Sequence, residues 1–396
     1  MLKSTPLIAS KTVTPSSVNE LKTIVTEAIE NKKTLIPIGG GTQLFTAREK
    51  FDIAINISGL TKGFRHTPED MTATLPAGKL FSDAQNKLKE NGQWIPLDPP
   101  DNGLSTVGGI VSANRWGPRR HRYGTVRDWV IATTIINGKG ELVKSGANVV
   151  KNVSGYDLNK VYIGARGTLG ILVDITFKLF PTHKNEMTFH ACFSNLDEIF
   201  KTASEINNSP LEIEALLILN GRWVSSKAKH WWLLIKIIGS NESMESQSRI
   251  VSSILENSIS KRWRQTNNED SISYWRTANL GNKNSKELFA EAVITIPKSK
   301  TENLVTQIFE IDPNISMKIL PACGALTIGL NSENIYNKFK EIIINQNINV
   351  EISGKNIFSC NDKWPLNPVS LPLMKQLKKA LDPSYIFAPR TYLGRI

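Results

Sequence analysis

Cysteine is scarce in this chain, with three in 396 residues: Cys192, Cys323 and Cys360. They are far apart and include no Cys-x-x-Cys, so alone they cannot hold an iron–sulfur cluster or a structural zinc ion. Three unpaired thiols fit a reducing compartment better than a secreted setting. Histidine is unevenly spread: His66, His121, His183, His190 and His230 are all of it, and nothing after position 230 carries an imidazole. No Glu/His cluster has ligand spacing, so no metal is expected. Long apolar runs are missing too. The densest, Trp231–Ile238, is interrupted by Lys236 and falls far short of the ~20 residues of a spanning helix. Met1–Pro15 has no apolar stretch with a small-residue cleavage site, which predicts no secretory leader. A cytoplasmic protein is expected, with at most peripheral contact on the inner face of a membrane. Acidic residues are outnumbered, 36 against 48 Lys and Arg, leaving a net charge of +12. That excess favours an anionic ligand, an acidic partner or a membrane surface. No basic helix, zinc finger or aromatic RNA-binding signature accompanies it, so nucleic acid is not an expected partner.

What is present reads as a globular chain too long for one ordinary core. Ser16 or Ser17 opens a helix whose stripe is Val18, Leu21, Val25, Ala28 and Ile29. Thr34–Ile38 is a short buried strand, followed by strands at Asp52–Ile57 and Met71–Leu75. Leu80–Glu90 is an amphipathic helix stopped by Asn91-Gly92. Trp129–Asn137 and Gly138–Val143 form a hairpin around Asn137-Gly138, and Leu169–Leu179 supplies another strand. After Pro181 the pattern changes. Strand Met187–Phe193, helix Leu196–Ile206, strands Ile213–Leu219 and Trp231–Ile238 and helix Met244–Leu255 come first. Strand Ala292–Ile296, helix Glu302–Phe309, strands Ser316–Leu320 and Ala325–Leu330, helix Glu333–Ile344 and strand Asn349–Ile352 repeat the order. Two such units predict a ferredoxin-like antiparallel sheet with helices on one face. A Lys-rich helix, Leu371–Leu381, and an aromatic tail that packs back on the body end the chain.

Three segments carry the chemistry. The first is Pro37-Ile38-Gly39-Gly40-Gly41-Thr42-Gln43. Consecutive glycines after a strand allow positive φ and close approach of a ligand, and converging amides form a nest for phosphate. A tight turn would use the same residues. The Rossmann spacing fails because Leu44 stands where a third glycine is needed, and no P-loop lysine follows. The second runs from Asp98-Pro99-Pro100 through Thr106-Val107-Gly108-Gly109-Ile110-Val111-Ser112-Ala113-Asn114 to Gly117 and Tyr123-Gly124. The third is Val149–Leu158, followed by Gly164 and Gly167-Thr168-Leu169-Gly170-Ile171. Three small-residue stretches at strand ends imply one extended, phosphate-bearing ligand.

In this order the segments resemble the FAD-binding domain of the vanillyl-alcohol oxidase and para-cresol methylhydroxylase (PCMH) superfamily. The wording is most similar to FAD-binding second subunits of bacterial glycolate oxidases. Pro37–Leu44, Thr106–Asn114, Gly117–Asp128 (GPRRHRYGTVRD), Val150–Leu158 (VKNVSGYDL) and Gly167–Ile171 carry the likeness. It covers about residues 10–183 closely and the remainder in outline. The resemblance implies an α+β fold: a two-lobed PCMH-type FAD-binding domain over 1–183, a ferredoxin-like α/β cap over 184–362, and a tail, 363–396, returning to the first domain. It also implies cofactor roles for Pro37, Ile38, Gly39, Gly40, Gly41, Thr42, Gln43, Pro99, Thr106, Val107, Gly108, Gly109, Ser112, Asn114, Gly117, Tyr123, Gly124, Gly167, Thr168, Gly170 and Ile171. The first loop and Gly108-Gly109 would hold the pyrophosphate, with Gly167–Ile171 along the ribityl chain and ring. Some relatives bind flavin covalently through His or Cys near these loops. None lies within Ile36–Phe45 or Thr106–Asn114, so dissociable FAD is expected, with His121 the one nearby exception.

The catalytic reading is thinner. Oxidising a 2-hydroxy acid needs a base for the hydroxyl proton and a cation for the carboxylate. Related catalytic subunits place histidines, acids and sometimes a divalent metal in the C-terminal domain, where this chain has no imidazole beyond His230 and no Glu/His cluster with ligand spacing. Its tail has Ala388 and Arg390 where Asn and Gly are common in the family. No catalytic residue is assigned. Arg115, Arg119, Arg120, Arg122 and Arg127 form a guanidinium cluster that suits phosphates and carboxylates. An acidic partner or the flavin is the favoured role over a solvated face, with Arg119 and Arg120 expected to be most exposed. The leading expectation is an accessory FAD subunit of a glycolate-oxidase-type complex, with a catalytic flavoprotein sister and an iron–sulfur subunit as partners. A self-sufficient oxidase using Tyr156, Tyr392 or Arg390, and an assembly subunit with a vestigial site, are the alternatives. An enolpyruvyl-sugar reductase of the same superfamily fits less well because of the GPRRHRYGTVRD run.

Overall fold

Ser17 accepts a hydrogen bond from the Glu20 amide and so starts helix α1 (Val18–Glu30), whose Leu21, Val25 and Ala28 are buried. The computed structural model describes residues 9–43, 50–147, 157–224, 230–259, 262–266, 269–281, 288–354, 357, 359–393 and 396; of 269, 270 and 360 it describes the backbone. Leu44, most of the Val150–Leu158 stretch including Tyr156, and Arg395 lie outside the described residues. Strands β1 (Ala9–Val13), β2 (Leu35–Ile38) and β3 (Phe51–Asn56) make a parallel sheet ordered β1-β3-β2.

The next strands are β4 (Arg65–Thr67), β5 (Thr72–Pro76), β6 (Gln93–Trp94), β7 (Val130–Ile136), β8 (Leu142–Gly146), β9 (Ile171–Lys178) and β10 (Phe180–Pro181). Five of them pair antiparallel in the order β4-β5-β9-β7-β8. The β7–β8 hairpin forms as its sequence predicts, but its turn runs over residues 137–141 and the second strand starts at Leu142 instead of Gly138. Helices α2 (Phe81–Lys89), α3 (Val107–Ala113), α4 (Arg120–Tyr123), α5 (Val126–Trp129) and α6 (Asn159–Tyr162) lie among these strands. One apolar core joins both sheets to α1, α2 and α3, with Ile55, Leu75, Val111 and Ile175 inside.

The second lobe is built on one antiparallel sheet. Its strands are β11 (Asn185–Phe193), β12 (Ile213–Leu219), β13 (Trp231–Gly239), β14 (Arg262–Thr266), β15 (Ala290–Thr295), β16 (Ser316–Leu320), β17 (Ala325–Leu330) and β18 (Val350–Ser353). Their order among the described residues is β14-β11-β13-β12-β16-β17-β15-β18. The helices are α7 (Leu196–Asn208), α8 (Asn241–Asn257), α9 (Glu269–Leu280), α10 (Thr301–Ile311) and α11 (Glu333–Asn345). In chain order, strand-helix-strand-strand-helix-strand occurs twice, and the halves join where β12 pairs with β16. Alternation fixes the two faces. On β13, Trp231, Leu233, Ile235 and Ile237 enter the large core under α7, α8, α10 and α11, while Trp232 and Leu234 face the other way, toward α9.

The chain returns through α12 (Cys360–Lys363) and α13 (Leu371–Leu381). Lys378 of α13 is fully buried, and its ammonium donates to the Thr168 and Phe387 carbonyls and to Asp382. Asp382 in turn accepts from the amides of Ile386 and Phe387. This clasp fixes residues 386–388 beside β2, where the Leu35 amide meets the Ile386 carbonyl and the Ala388 amide meets the Leu35 carbonyl. Among the described residues no helix is long and apolar enough to cross a membrane, and no metal-binding cluster occurs.

Candidate functional site

Gly39, Gly40 and Gly41 follow β2 directly, and Gly41 takes φ +71°. Their amides have no hydrogen-bond partner among the described residues. The loop is held in this shape by its neighbour. A Cβ on Gly39 would overlap the Thr106 hydroxyl, and one on Gly40 would overlap the Leu104 carbonyl. Thr42 and Ser105 add a hydroxyl contact at 3.3 Å. The glycines are therefore needed twice over: for packing against residues 104–106 on one side and for open amides on the other.

The second segment behaves differently. Thr106–Asn114 is not a loop but a capped helix, α3. Thr106 accepts from the Gly109 amide at 3.1 Å, and Asn114 ends the helix in the left-handed conformation, φ 49°. Val107, Ile110 and Val111 are the buried stripe. The Val107 amide donates to the Lys79 carbonyl and the Gly108 amide to the Ala77 carbonyl. These three amides are thus engaged within the protein, and Gly108 and Gly109 border the groove without a free N–H among the described residues. Gly108 is required instead because a Cβ would press on Ala77 and Ile57.

Between the two segments runs a groove in two connected hollows. The outer one is lined by Pro37, Gly39–Gln43, Thr106, Gly109, Ser112 and Arg166, with Ala388 and Thr391 from the clasped tail. The inner one shares Pro37, Gly39, Gly109 and Ser112 and continues to Gly108, Gly167, Gly170 and Ile171. Gly167 has φ +76°, and a Cβ there would overlap the Pro37 ring. Other expected positions lie off the groove. Ile38 packs in a small core with Ile36 and Ala388. Val107 is core, and Asn114 is an exposed cap. Buried Thr168 bonds to the Ala165 carbonyl and presents its own carbonyl to Lys378.

Pro99, Gly117, Tyr123 and Gly124 also fall outside both hollows. Tyr123 stacks on His183 and bonds to it within a ring of Trp94, Trp129 and Phe180. Gly117 lies against the Asp98 carbonyl and Gly124 against Asp128. Arg119 is not an exposed cation. It reaches Glu214 of β12 at 3.1 Å, a carboxylate with no exposure that Lys236 also meets at 3.2 Å. Arg122 meets Glu212 at 3.3 Å, Arg120 bonds to Thr295, and Arg166 pairs with Glu351. Arg119, Arg120 and Arg122 of the run thus join the two lobes of one chain. Burial raises Asp98, in the same joint, to about 7, against the opposing pull of Arg119.

A cavity of about 180 Å³ opens where the lobes meet, sharing Gln43 with the groove. Arg115, Asn279, Glu291 and Lys318 line it, and Arg222 lies close enough to act on Lys318. Lys318 is 2% exposed, donates to the Asn279 carbonyl at 3.1 Å, and is lowered to about 8, chiefly by burial. Nε of Arg115, Nε of Arg222 and Oδ1 of Asn279 are buried without partners among the described residues. The two open guanidinium donors beside a small void suit a small anion, and the Asn279 oxygen is an open acceptor. Of these residues only Arg115, in the arginine run, stood out in the sequence; Lys318 sits in the strand SMKIL, whose pattern does not reveal a buried cation.

Comparison with known proteins gives the class. Residues 9–146 match the family model described as "FAD binding domain", so this part of the chain is similar to FAD-binding domains. Among sequence relatives, glycolate oxidase subunit GlcD of Bacillus subtilis (strain 168) is 30% identical over 196 residues, covering 49% of this chain and 42% of that protein. Glycolate oxidase subunit GlcE of Escherichia coli (strain K12) is 31% identical over 202 residues, covering 50% and 57%. The matched part thus spans about half the length of these relatives. Alkyldihydroxyacetonephosphate synthase shares the fold: its crystal structure superposes with a TM-score of 0.69 at 15% identity over 96% of this chain and 76% of that one. The groove fits the cofactor. Its unpartnered amides at Gly39–Gly41 suit a pyrophosphate, and its glycine walls leave room for a chain lying on the backbone.

Proposed function

We propose that this chain is the FAD-binding subunit of a glycolate-oxidase-type complex. It takes part in flavin-dependent oxidation of glycolate or a related 2-hydroxy acid to the 2-oxo acid, with electrons passing to an iron–sulfur partner subunit. The observation that carries this reading is the cradle of free amides at Gly39–Gly41 inside the matched FAD-binding domain. The likeness to subunits of glycolate oxidase supports the assembly. Bound flavin would supply the two-electron acceptor for such a substrate. Around it, Gly39–Gly41 and Thr42 would hold phosphate oxygens, and Pro37, Gly109, Ser112 and Gly167 would bound the groove. Neither His nor Cys lines either hollow among the described residues, which supports dissociable FAD. We read the second lobe as a ferredoxin-like cap, from its twice-repeated strand and helix order, with the division near residue 183 and the tail from 363 completing the first domain.

The inter-lobe cavity favours a second reading, in which the chain turns over the hydroxy acid itself. Lys318 and Arg115 would take the carboxylate, and Glu291 stands in the same wall as an acceptor for the hydroxyl proton. Anaerobic titration of the purified chain with glycolate and with D-lactate separates the two. A flavin that stays yellow until the partner subunits are added supports the accessory role. Bleaching of the isolated chain, lost in Lys318→Met, supports self-sufficiency. A preparation that takes up no FAD yet still assembles contradicts both and leaves an assembly subunit.

A further inference from the structure

A larger cavity, about 330 Å³, lies between α9 and the face of the second sheet turned away from its helices. Trp223, Trp232 and Tyr274 give it flat apolar walls, and Arg262 and Arg264 of β14 stand at its side. His190 forms part of the wall and is only 6% exposed; its Nδ1 has no partner among the described residues. The imidazole is held between rings, 4.7 Å from the Tyr274 centroid and 5.9 Å from that of Trp232. Burial, then the charges of Arg264 and Arg262, keep it below its ordinary range. The guanidinium of Arg262 lies 5.8 Å from the Trp232 ring, and neither arginine has an ion-pair partner among the described residues. Ordinary packing of a helix on a sheet would close such a void and satisfy the buried nitrogen.

We propose that this cavity is a second small-molecule site, separate from the flavin groove, that takes a flat aromatic anion. Trp232 and Tyr274 offer ring faces and edges for an aromatic body. Arg262 and Arg264 offer planar, charge-assisted donors for its anionic group, and the free nitrogen of His190 supplies one further polar contact. The size, at the lower end of the roughly 300–1,000 Å³ of small-molecule sites, holds one or two fused rings and excludes a dinucleotide. Trp223 lines both this cavity and the inter-lobe one, so the two share a wall.

The test is titration of the FAD-loaded protein with 2-naphthoate, followed by tryptophan fluorescence and calorimetry. Saturable quenching is expected, with the uncharged 2-naphthamide binding about tenfold more weakly. Arg262→Gln with Arg264→Gln should weaken naphthoate by a similar factor without changing FAD content. Trp232→Ala should weaken naphthoate and naphthamide alike, again with FAD retained. Naphthyl phosphate in place of the carboxylate then tells which anion the arginines take. The proposal is overturned if neither anion saturates, if the amide binds as well as the acid, or if the arginine variants bind normally. Loss of naphthoate binding in Lys318→Met, with displacement by glycolate, would also overturn it by placing the ligand in the inter-lobe cavity.

Discussion

Gly39–Gly41 and Gly108–Gly109 are both glycine runs at the edge of one groove, yet their backbones face opposite ways. The first leaves its amides open and uses its missing side chains to nest against residues 104–106. The second donates its amides to Ala77 and Thr106 and uses its missing side chains to sit deep on Ala77 and Ile57. One run leaves its backbone open to the groove, and the other brings a helix close enough to form the opposite wall. Glycine content alone does not tell the two uses apart; the hydrogen-bond partners of the amides do.

That contrast separates effects on flavin from effects on stability. The largest effect is expected for Gly40→Ala. The new methyl group meets the Leu104 carbonyl, pushes the first loop off its neighbour and misaligns the open amides, so the protein should purify without flavin. Retention of normal FAD by this variant would break the distinction. Next is Lys378→Met, which leaves Asp382 buried without its cation. Removing one partner of a buried pair costs about 3–5 kcal/mol. Denaturant unfolding should show that loss, with weaker flavin retention because Ala388 and Thr391 wall the groove. Gly108→Ala overfills the contact with Ala77 and should lower the stability of the flavin-free protein by about 1–3 kcal/mol. Thr106→Ala removes the cap of α3 and should cost about 1 kcal/mol, with Thr106→Ser restoring most of it. Equal flavin loss in all four would erase the difference between the two runs.

The smallest effect is a slope with pH. Asp98 has a folded-state value of about 7 against an ordinary 3.8, so the folded joint holds its proton after the unfolded chain has released it. Its stabilising contribution is full below the ordinary value and is lost as pH rises toward 7. Asp98→Asn should flatten the fall in thermal midpoint between pH 4 and pH 7; an unchanged slope would remove Asp98 from the titration of the joint.

The first loop was legible because a strand running into three glycines leaves few structural options. The strand-helix order of the second lobe was legible for a similar reason, since apolar alternation and capped helices each carry a local signal. Helix α3 was hidden by its glycines, which lower helix propensity by about 1 kcal/mol each, although the Thr106 cap and the Val107, Ile110 and Val111 stripe were in plain sight. The pairing of the arginines within the chain could not be read from the sequence. Their acceptors Glu212 and Glu214 lie about 90 residues away, just before and within β12, so the pairing exists only after folding. Strands β1 and β14 and helix α9 escaped for want of a clean period, α9 being a mostly polar helix with aromatics facing the sheet.

The central claim is that the Gly39–Gly41 cradle holds FAD without a covalent bond. Its most direct test is the absorption spectrum of the purified chain, recorded before and after acid precipitation. A yellow protein with stoichiometric FAD, all of it recovered in the supernatant, is the predicted result. Flavin that stays with the precipitate, or a chain that remains colourless after incubation with FAD, would contradict it.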